Sequence, residues 1–155
     1  MRYKAIVLVF ALSLSSACFA TEPVKPSGRD KCPVCGMFTA KYPGFLSEII
    51  FKDGSYATFD GPKDMFKYYF NLPKYNSSQK QEDIKAVYVT DYYGLQWIDG
   101  LKAFYVVGSD VMGPMGKELL PFGKREDADE FLADHAGKTR LLFNEVTSDL
   151  LKSLE

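Results

Sequence analysis

Two β-rich runs around a tight-turn dipeptide, followed by a helix, constrain this chain most, because the same order occurs twice. From Phe45 the sequence runs FLSEIIF, Asp53-Gly54 and SYATF, and an Asp-Gly pair between β-branched and aromatic runs is the strongest short-range hairpin signal. Gly61-Pro62 then opens a helix, since Pro62 suits a first turn whose N–H has no intrahelical partner. Met65, Phe66, Tyr69 and Phe70 form one apolar face of that helix, which ends near Asn71 and Pro73. The polar stretch from Lys74 to Asp83 reads as a surface loop, and Ile84 to Tyr92 returns to β-branched and aromatic residues. Residues 32–92 therefore form a ββαβ half.

The second half, within residues 93–155, repeats the order. Leu101–Val107 and Glu118–Phe122 read as strands, Arg125–His135 as a helix, Thr139–Val146 as a strand and Thr147–Leu154 as a terminal helix. An offset of 63 pairs Phe59 with Phe122, Asp64 with Asp127, Met65 with Ala128, Tyr68 with Phe131 and Tyr69 with Leu132. Two amphipathic helices match somewhat by chance, yet the consistent helix face favours an internal duplication. Each half alone buries too little surface for comfort. The expected fold is thus α+β, two similar small ββαβ halves packed together, with Trp97 of the connector filling the seam.

A length of 155 residues admits one compact domain or two very small ones at about 100–200 residues per domain. The net charge of −1 provides no field for phosphate backbones, so nucleic acid is not an expected partner. Arg2 and Lys4 precede an apolar run from Ala5 to Leu14 and the small residues Ser15, Ser16, Ala17 and Ala20, the layout of a secretory signal peptide over residues 1–20. The run is shorter than the about twenty residues of a bilayer span, and the address predicts a periplasmic chain. Cleavage after Ala20 discards Cys18, whereas lipoprotein processing keeps it as an acylated first residue. Ser15 stands where such signals carry leucine, which favours cleavage after Ala20. Thr21 to Lys31, with Pro23, Pro26 and Gly28, reads as an extended linker.

Chemistry must be sought in sulfur. Three cysteines are too few for a disulfide scaffold, and the single histidine, His135, excludes multi-histidine metal cages. Cys32-Pro33-Val34-Cys35-Gly36-Met37 places two thiols and a thioether on one tight turn. Thiolates and thioethers are soft donors that favour Cu(I) over hard ions. Met112-Gly113-Pro114-Met115-Gly116 forms a second sulfur cluster in a glycine-rich loop ahead of the shorter strand. Met65, on its helix face, is core.

Other readings of Cys32 and Cys35 stand beside copper. The pair also reads as a disulfide, structural or catalytic. A thioredoxin-like thiol draws its low pKa from the start of a helix, whereas here Gly36, Tyr42-Pro43-Gly44 and a strand follow. A zinc or iron knuckle needs four ligands, and a second knuckle would have to come from another copy of the chain. His135 ends a helix, where the dipole alone accounts for an imidazole. Asp60, Asp64, Asp91, Asp99 and Asp127 read as caps, turns and solvated faces. The sequence carries no nucleophile elbow, phosphate-binding glycine loop or zinc-protease motif, so enzymatic hydrolysis has no support and the protein is not expected to be an enzyme.

The stretches CGMFTAKYPG, DGSYATFDGPKDMF, WIDGLKAFYVVGS and MGPMGKELLPFGKREDADEF resemble, in one order over residues 32–146, the NosL family of nitrous oxide reductase accessory proteins. The resemblance implies a periplasmic or outer-membrane-attached Cu(I) metallochaperone for the copper-sulfide centre of nitrous oxide reductase. That enzyme and its membrane maturation complex of the ABC type would be its partners, and Cys18 a lipid anchor. Carried over residue by residue, Cys35 and Met37 occupy the family's Cys-x-Met positions and Met115 its Met-Gly position. Many members have a histidine before Pro-Gly where this chain has Tyr42, which leaves Cys32, Met112 or His135 to compensate. The rivals are a thiol-disulfide oxidoreductase using Cys32 and Cys35, and an interaction module with an inert disulfide.

Overall fold

Backbone pairing follows the two hairpins. The computed structural model describes residues 21–155, so the signal-peptide reading and Cys18 lie outside the described residues. In the first half, β1 (Ser47–Phe51) and β2 (Tyr56–Phe59) flank the Asp53-Gly54 turn, where Gly54 takes a positive φ of 86°. Then come α1 (Pro62–Phe70), the short α2 (Leu72–Tyr75) and β3 (Ile84–Thr90). β4 (Trp97–Asp99) follows β3, giving an antiparallel sheet of order β2-β1-β3-β4. The second half contributes β5 (Phe104–Gly113), β6 (Gly116–Phe122), α3 (Arg125–Asp134) and β7 (Thr139–Leu142), with sheet order β6-β5-β7. α4 (Ser148–Ser153) closes the chain, its Thr147 side chain accepting the Leu150 N–H at 3.2 Å.

The offset of 63 carries through to the helices, α1 starting at Pro62 and α3 at Arg125. Phe59 and Phe122 each end the second strand of their half and are fully buried. Phe59 lies 5.1 Å from Tyr68, and Phe122 lies 5.0 Å from Phe131. The helices differ in what covers them. α1 packs on β1 and β2 with one face and on β6 with another, and Phe66 reaches across to Tyr105 at 5.2 Å and Phe143 at 4.8 Å. α3 covers the opposite face of the second sheet. Side chains alternate along β5, with Tyr105 and Val107 joining the core around α1 and Val106 the cluster under α3.

Several expectations need correction. Trp97 does not fill the seam: it pairs with Thr90 at the edge of the first sheet, half-buried, its ring 6.5 Å from Tyr88. Pairing with β3 satisfies the connector's backbone there, and Phe66, Tyr105, Leu119 and Phe143 fill the seam instead. β5 does not stop at Val107 but runs through a register shift to Gly113, so Met112 lies in a strand and only Pro114-Met115 forms the turn. β7 stops at Leu142 because the Glu145 carboxylate accepts the Leu142 N–H at 2.7 Å, turning the chain so that Phe143 enters the core. Residues 21–30 form no strand or helix, yet they lie against the first sheet: Val24 N–H donates to Glu48 Oε2 at 2.9 Å, and the Tyr88 hydroxyl donates to the Thr21 carbonyl.

Candidate metal centre

The cysteine motif is a closed loop ahead of β1. Lys31 bridges Phe38, Cys32 N–H donates to the Met37 carbonyl at 2.8 Å, and Gly36 N–H donates to the Cys32 carbonyl at 2.8 Å. Gly36 takes φ +80°, a region that side chains rarely adopt. This turn delivers both thiols to the start of α1. Cys32 Sγ donates to Asp64 Oδ2 at 3.4 Å, and Cys35 Sγ donates to Asp60 Oδ1 at 3.1 Å. Ligand atoms from Cys32, Cys35, Asp60 and Asp64 all lie within 4.8 Å of one another. Cys32, Asp60 and Asp64 are buried, while Cys35 is half-exposed and forms the open edge.

Helix geometry explains the carboxylates. Asp60 lies just before the Gly61 N-cap of α1 and Asp64 in the first turn, so both acids stand at the N-terminal end of the helix. The positive end of the helix favours an acid there, and Lys67 Nζ lies 3.5 Å from Asp64. Around the thiols the balance is reversed. Burial pushes Cys35 up to about 12, and the Asp60 and Asp64 carboxylates add to the rise against the opposing Met37 backbone N–H. Burial drives Cys32 higher still, opposed by the Cys35 and Val34 N–H groups. Both side chains are free thiols, holding their protons toward carboxylate oxygens.

Of the residues singled out in the sequence, Cys32 and Cys35 are brought together, and Met37 closes their loop. Met115, 46% exposed, sits in the β5–β6 turn, and its carbonyl accepts Lys63 Nζ at 2.8 Å, which ties this turn to the first turn of α1. Met112, 56% exposed, lines a groove with Val107, Lys138 and Leu150. His135 is not drawn to the cysteines: its ring stacks on Phe131 at 4.3 Å and Nδ1 lies 3.0 Å from Asp110 Oδ1, beside α3. Asp60 and Asp64 were read as caps and solvated faces and are instead buried members of the cluster. Nothing local in the sequence linked Asp60 and Asp64 to cysteines 25 and 32 residues earlier. A closed four-ligand site was expected to need a second chain; the two carboxylates supply the missing donors within this one.

The donor set fits a metal ion with affinity for sulfur. Displacing the thiol protons creates two thiolates at one point, with room at Cys35 for entry. Comparison with known proteins agrees with this chemistry. The NosL family profile matches residues 23–151. The chain is similar to the copper-binding lipoprotein NosL of Stutzerimonas stutzeri, 30% identical over 84% of this chain and 69% of that one. It is 28% identical to the copper-binding lipoprotein NosL of Achromobacter cycloclastes, over 99% of this chain and 86% of that protein. The crystal structure of the copper chaperone NosL from Shewanella denitrificans superposes with a TM-score of 0.70 at 26% identity, covering 83% of this chain and 97% of that one. With its fold and most of its length matched, this chain belongs to the NosL family.

Proposed function

We propose that this protein is a periplasmic Cu(I) carrier. Cys35 binds the ion as thiolate, Met37 and Met115 complete a low-coordinate sulfur site, and Cys32 and Met112 offer further sulfur as the ion arrives or leaves. The observation that carries the reading is the convergence of the Cys32 and Cys35 thiols at the start of α1, where Lys63 also holds the Met115 turn. The names of the relatives support copper as the ion. Soft sulfur selects Cu(I), and thioethers hold it without charge, so a client richer in histidine or sulfide displaces them one at a time. The client in this reading is nitrous oxide reductase, approached through its membrane maturation complex, with copper as cargo and no reaction catalysed. Cleavage after Ala20 would release the carrier into the periplasm, and only processing at Cys18, as the lipoprotein names of the relatives suggest for them, would hold it at the outer membrane.

The raised thiols disfavour a thiol-disulfide oxidoreductase, whose attacking sulfur must be a thiolate near neutral pH. The four-donor set favours one second reading, a Zn²⁺ site of two thiolates and two carboxylates. Anaerobic titration of residues 21–155 with Cu(I) against a competing chelator, in the presence and absence of Zn²⁺, separates the two. The carrier reading expects tight binding of one Cu(I), lost in Cys35→Ala, weakened in Met37→Ala and Met115→Ala, and not weakened in Asp64→Asn. Tight Zn²⁺ binding that is lost in Asp64→Asn and Asp60→Asn, with weak Cu(I) binding, would overturn it.

A further inference from the structure

Lys63 and Glu118 are ionisable residues only 3% exposed, and neither belongs to the donor set. Lys63 lies in the first turn of α1, beside Asp64, and its Nζ reaches out of the first half to donate to the Met115 carbonyl at 2.8 Å and the Leu154 carbonyl at 3.5 Å. Glu118 reaches the other way. From β6 its Oε1 accepts the backbone N–H of Lys63 at 2.6 Å and that of Leu119 at 2.9 Å. The N-cap of α1 is Gly61, which has no side chain to satisfy the helix's first N–H groups. A carboxyl oxygen from the other half takes one of them.

The backbone leaves room for this arrangement at two places. A Cβ on Gly61 would overlap the Glu118 carboxylate, and one on Gly113 would stand 2.9 Å from Glu118 Cγ. Gly61 follows Asp60, and Gly113 opens the turn that holds Met115. The same carboxyl group therefore packs against the chain next to the metal-facing acid and against the base of the methionine turn.

We infer that Lys63 and Glu118 are positioning residues, a crossed clamp that holds the tip of the β5–β6 hairpin on the first turn of α1 and so sets where the Met115 thioether stands relative to the cysteine turn. The inference rests on the carrier reading for its use and on hydrogen bonds for its existence. Met115 is half-exposed on a two-residue turn, and a long unbranched side chain there has little packing of its own to fix it. A pinned carbonyl fixes the backbone from which the thioether swings and lowers the entropy lost when it ligates. Met112, on the same hairpin, has no such pin through its backbone carbonyl to α1 among the described hydrogen bonds.

The test is a double-mutant cycle with a second readout that does not need copper. Lys63→Met is made in the wild-type and Met115→Ala backgrounds, with Glu118→Ala, Glu118→Gln and Gly113→Ala alongside, and the Met115 methyl order parameter is measured by NMR without metal. The expected results are a loosened Met115 methyl in Lys63→Met and Glu118→Ala, with retention in Glu118→Gln, which keeps an acceptor for the Lys63 N–H. Cu(I) affinity falls about tenfold in Lys63→Met, and Lys63→Met has no further effect once Met115 is Ala. Equal losses in both backgrounds, or a Met115 methyl as ordered as in the wild type, would overturn the clamp. If Lys63→Met does not fold, Gly113→Ala decides, because it displaces Glu118 while leaving both donors of Lys63 in place, and an unchanged methyl there sinks the idea. Should the wild type bind no Cu(I), the carrier reading falls, and the methyl measurements still judge the clamp.

Discussion

Cys35 donates its S–H to Asp60 across 3.1 Å, so the one half-exposed thiol of the cluster faces an anion. Reactive cysteines are built the other way, beside a cation or a helix N-terminus that stabilises the thiolate; here the start of α1 is close, but burial and the two carboxylates outweigh it. Here the proton is retained until something stronger than water replaces it, which suits a sulfur reserved for a metal.

Removing that anion should sharpen the thiol. Burial is the main cause of the elevated Cys35 pKa and Asp60 adds to it, so Asp60→Asn should lower the pKa without restoring the ordinary value. Iodoacetamide labelling of Cys35 at pH 8 is expected to speed up roughly threefold to tenfold. Unchanged labelling would mean that burial alone governs the thiol.

Oxidation should close the site. The two cysteine sulfurs lie within 4.8 Å on one loop, so a disulfide oxidant such as oxidised glutathione is expected to link Cys32 to Cys35. Mass spectrometry should show the loss of two hydrogens, and Cu(I) binding should disappear and then return with a reductant. Retention of Cu(I) by the oxidised protein would show that the thioethers suffice.

Stability should fall as pH rises through neutrality. Burial raises Glu48 to about 7, against the Val24 N–H and with the Asp30 charge adding to it. Burial raises Glu118 to about 8, against the Leu119 and Lys63 N–H groups and the Lys63 charge, with Asp64 adding to it. In the unfolded chain both return to the ordinary 4.5. The folded state thus binds their protons more tightly, its advantage is full below about pH 4.5, and it is lost as pH climbs through 7 to 8. Asp53, Asp129, Asp149 and Glu155, held low by hydrogen bonds and ion pairs, act at lower pH and leave this window alone. Urea midpoints should therefore be lower at pH 8.5 than at pH 5.5, and Glu48→Gln should flatten the difference.

Gly61→Ala should destabilise by about 1–3 kcal/mol, the usual cost of overpacking. The cause is contact with the Glu118 carboxylate and not backbone strain, since Gly61 has an extended φ of −169°. Combining it with Glu118→Ala should recover part of the loss, as read by urea denaturation.

The hairpin at Asp53-Gly54, both long helices and the ββαβ order were legible because each depends on neighbours a few residues apart. The same holds for Met65 as core. Asp60 and Asp64 were not legible, because their partners lie 25 and 32 residues earlier and their burial comes from packing on both sides of α1. At the offset of 63, Lys63 corresponds to Glu126 and Phe66 to Asp129, both exposed on α3. That contrast was in the sequence: an apolar residue on the second face of one helix and a charge on the other. It says that α1 has two covered faces, but not what covers them. Trp97 failed as a seam residue because aromatic size signals burial without saying where, and the connector found a strand partner.

The placing of α1 between two sheets also bears on how the chain folds. Its Phe66 is buried only when Tyr105 and Phe143 arrive, and Lys63 finds both carbonyl acceptors in the later part of the sequence. A fragment cut at the boundary between the repeats would keep every local instruction and lose the partners of its central helix. Two units that read as modules are therefore expected to melt as one, in a single cooperative transition, and the helix that presents Asp64 to the thiols is expected to sit firmly only once the second half has docked on it.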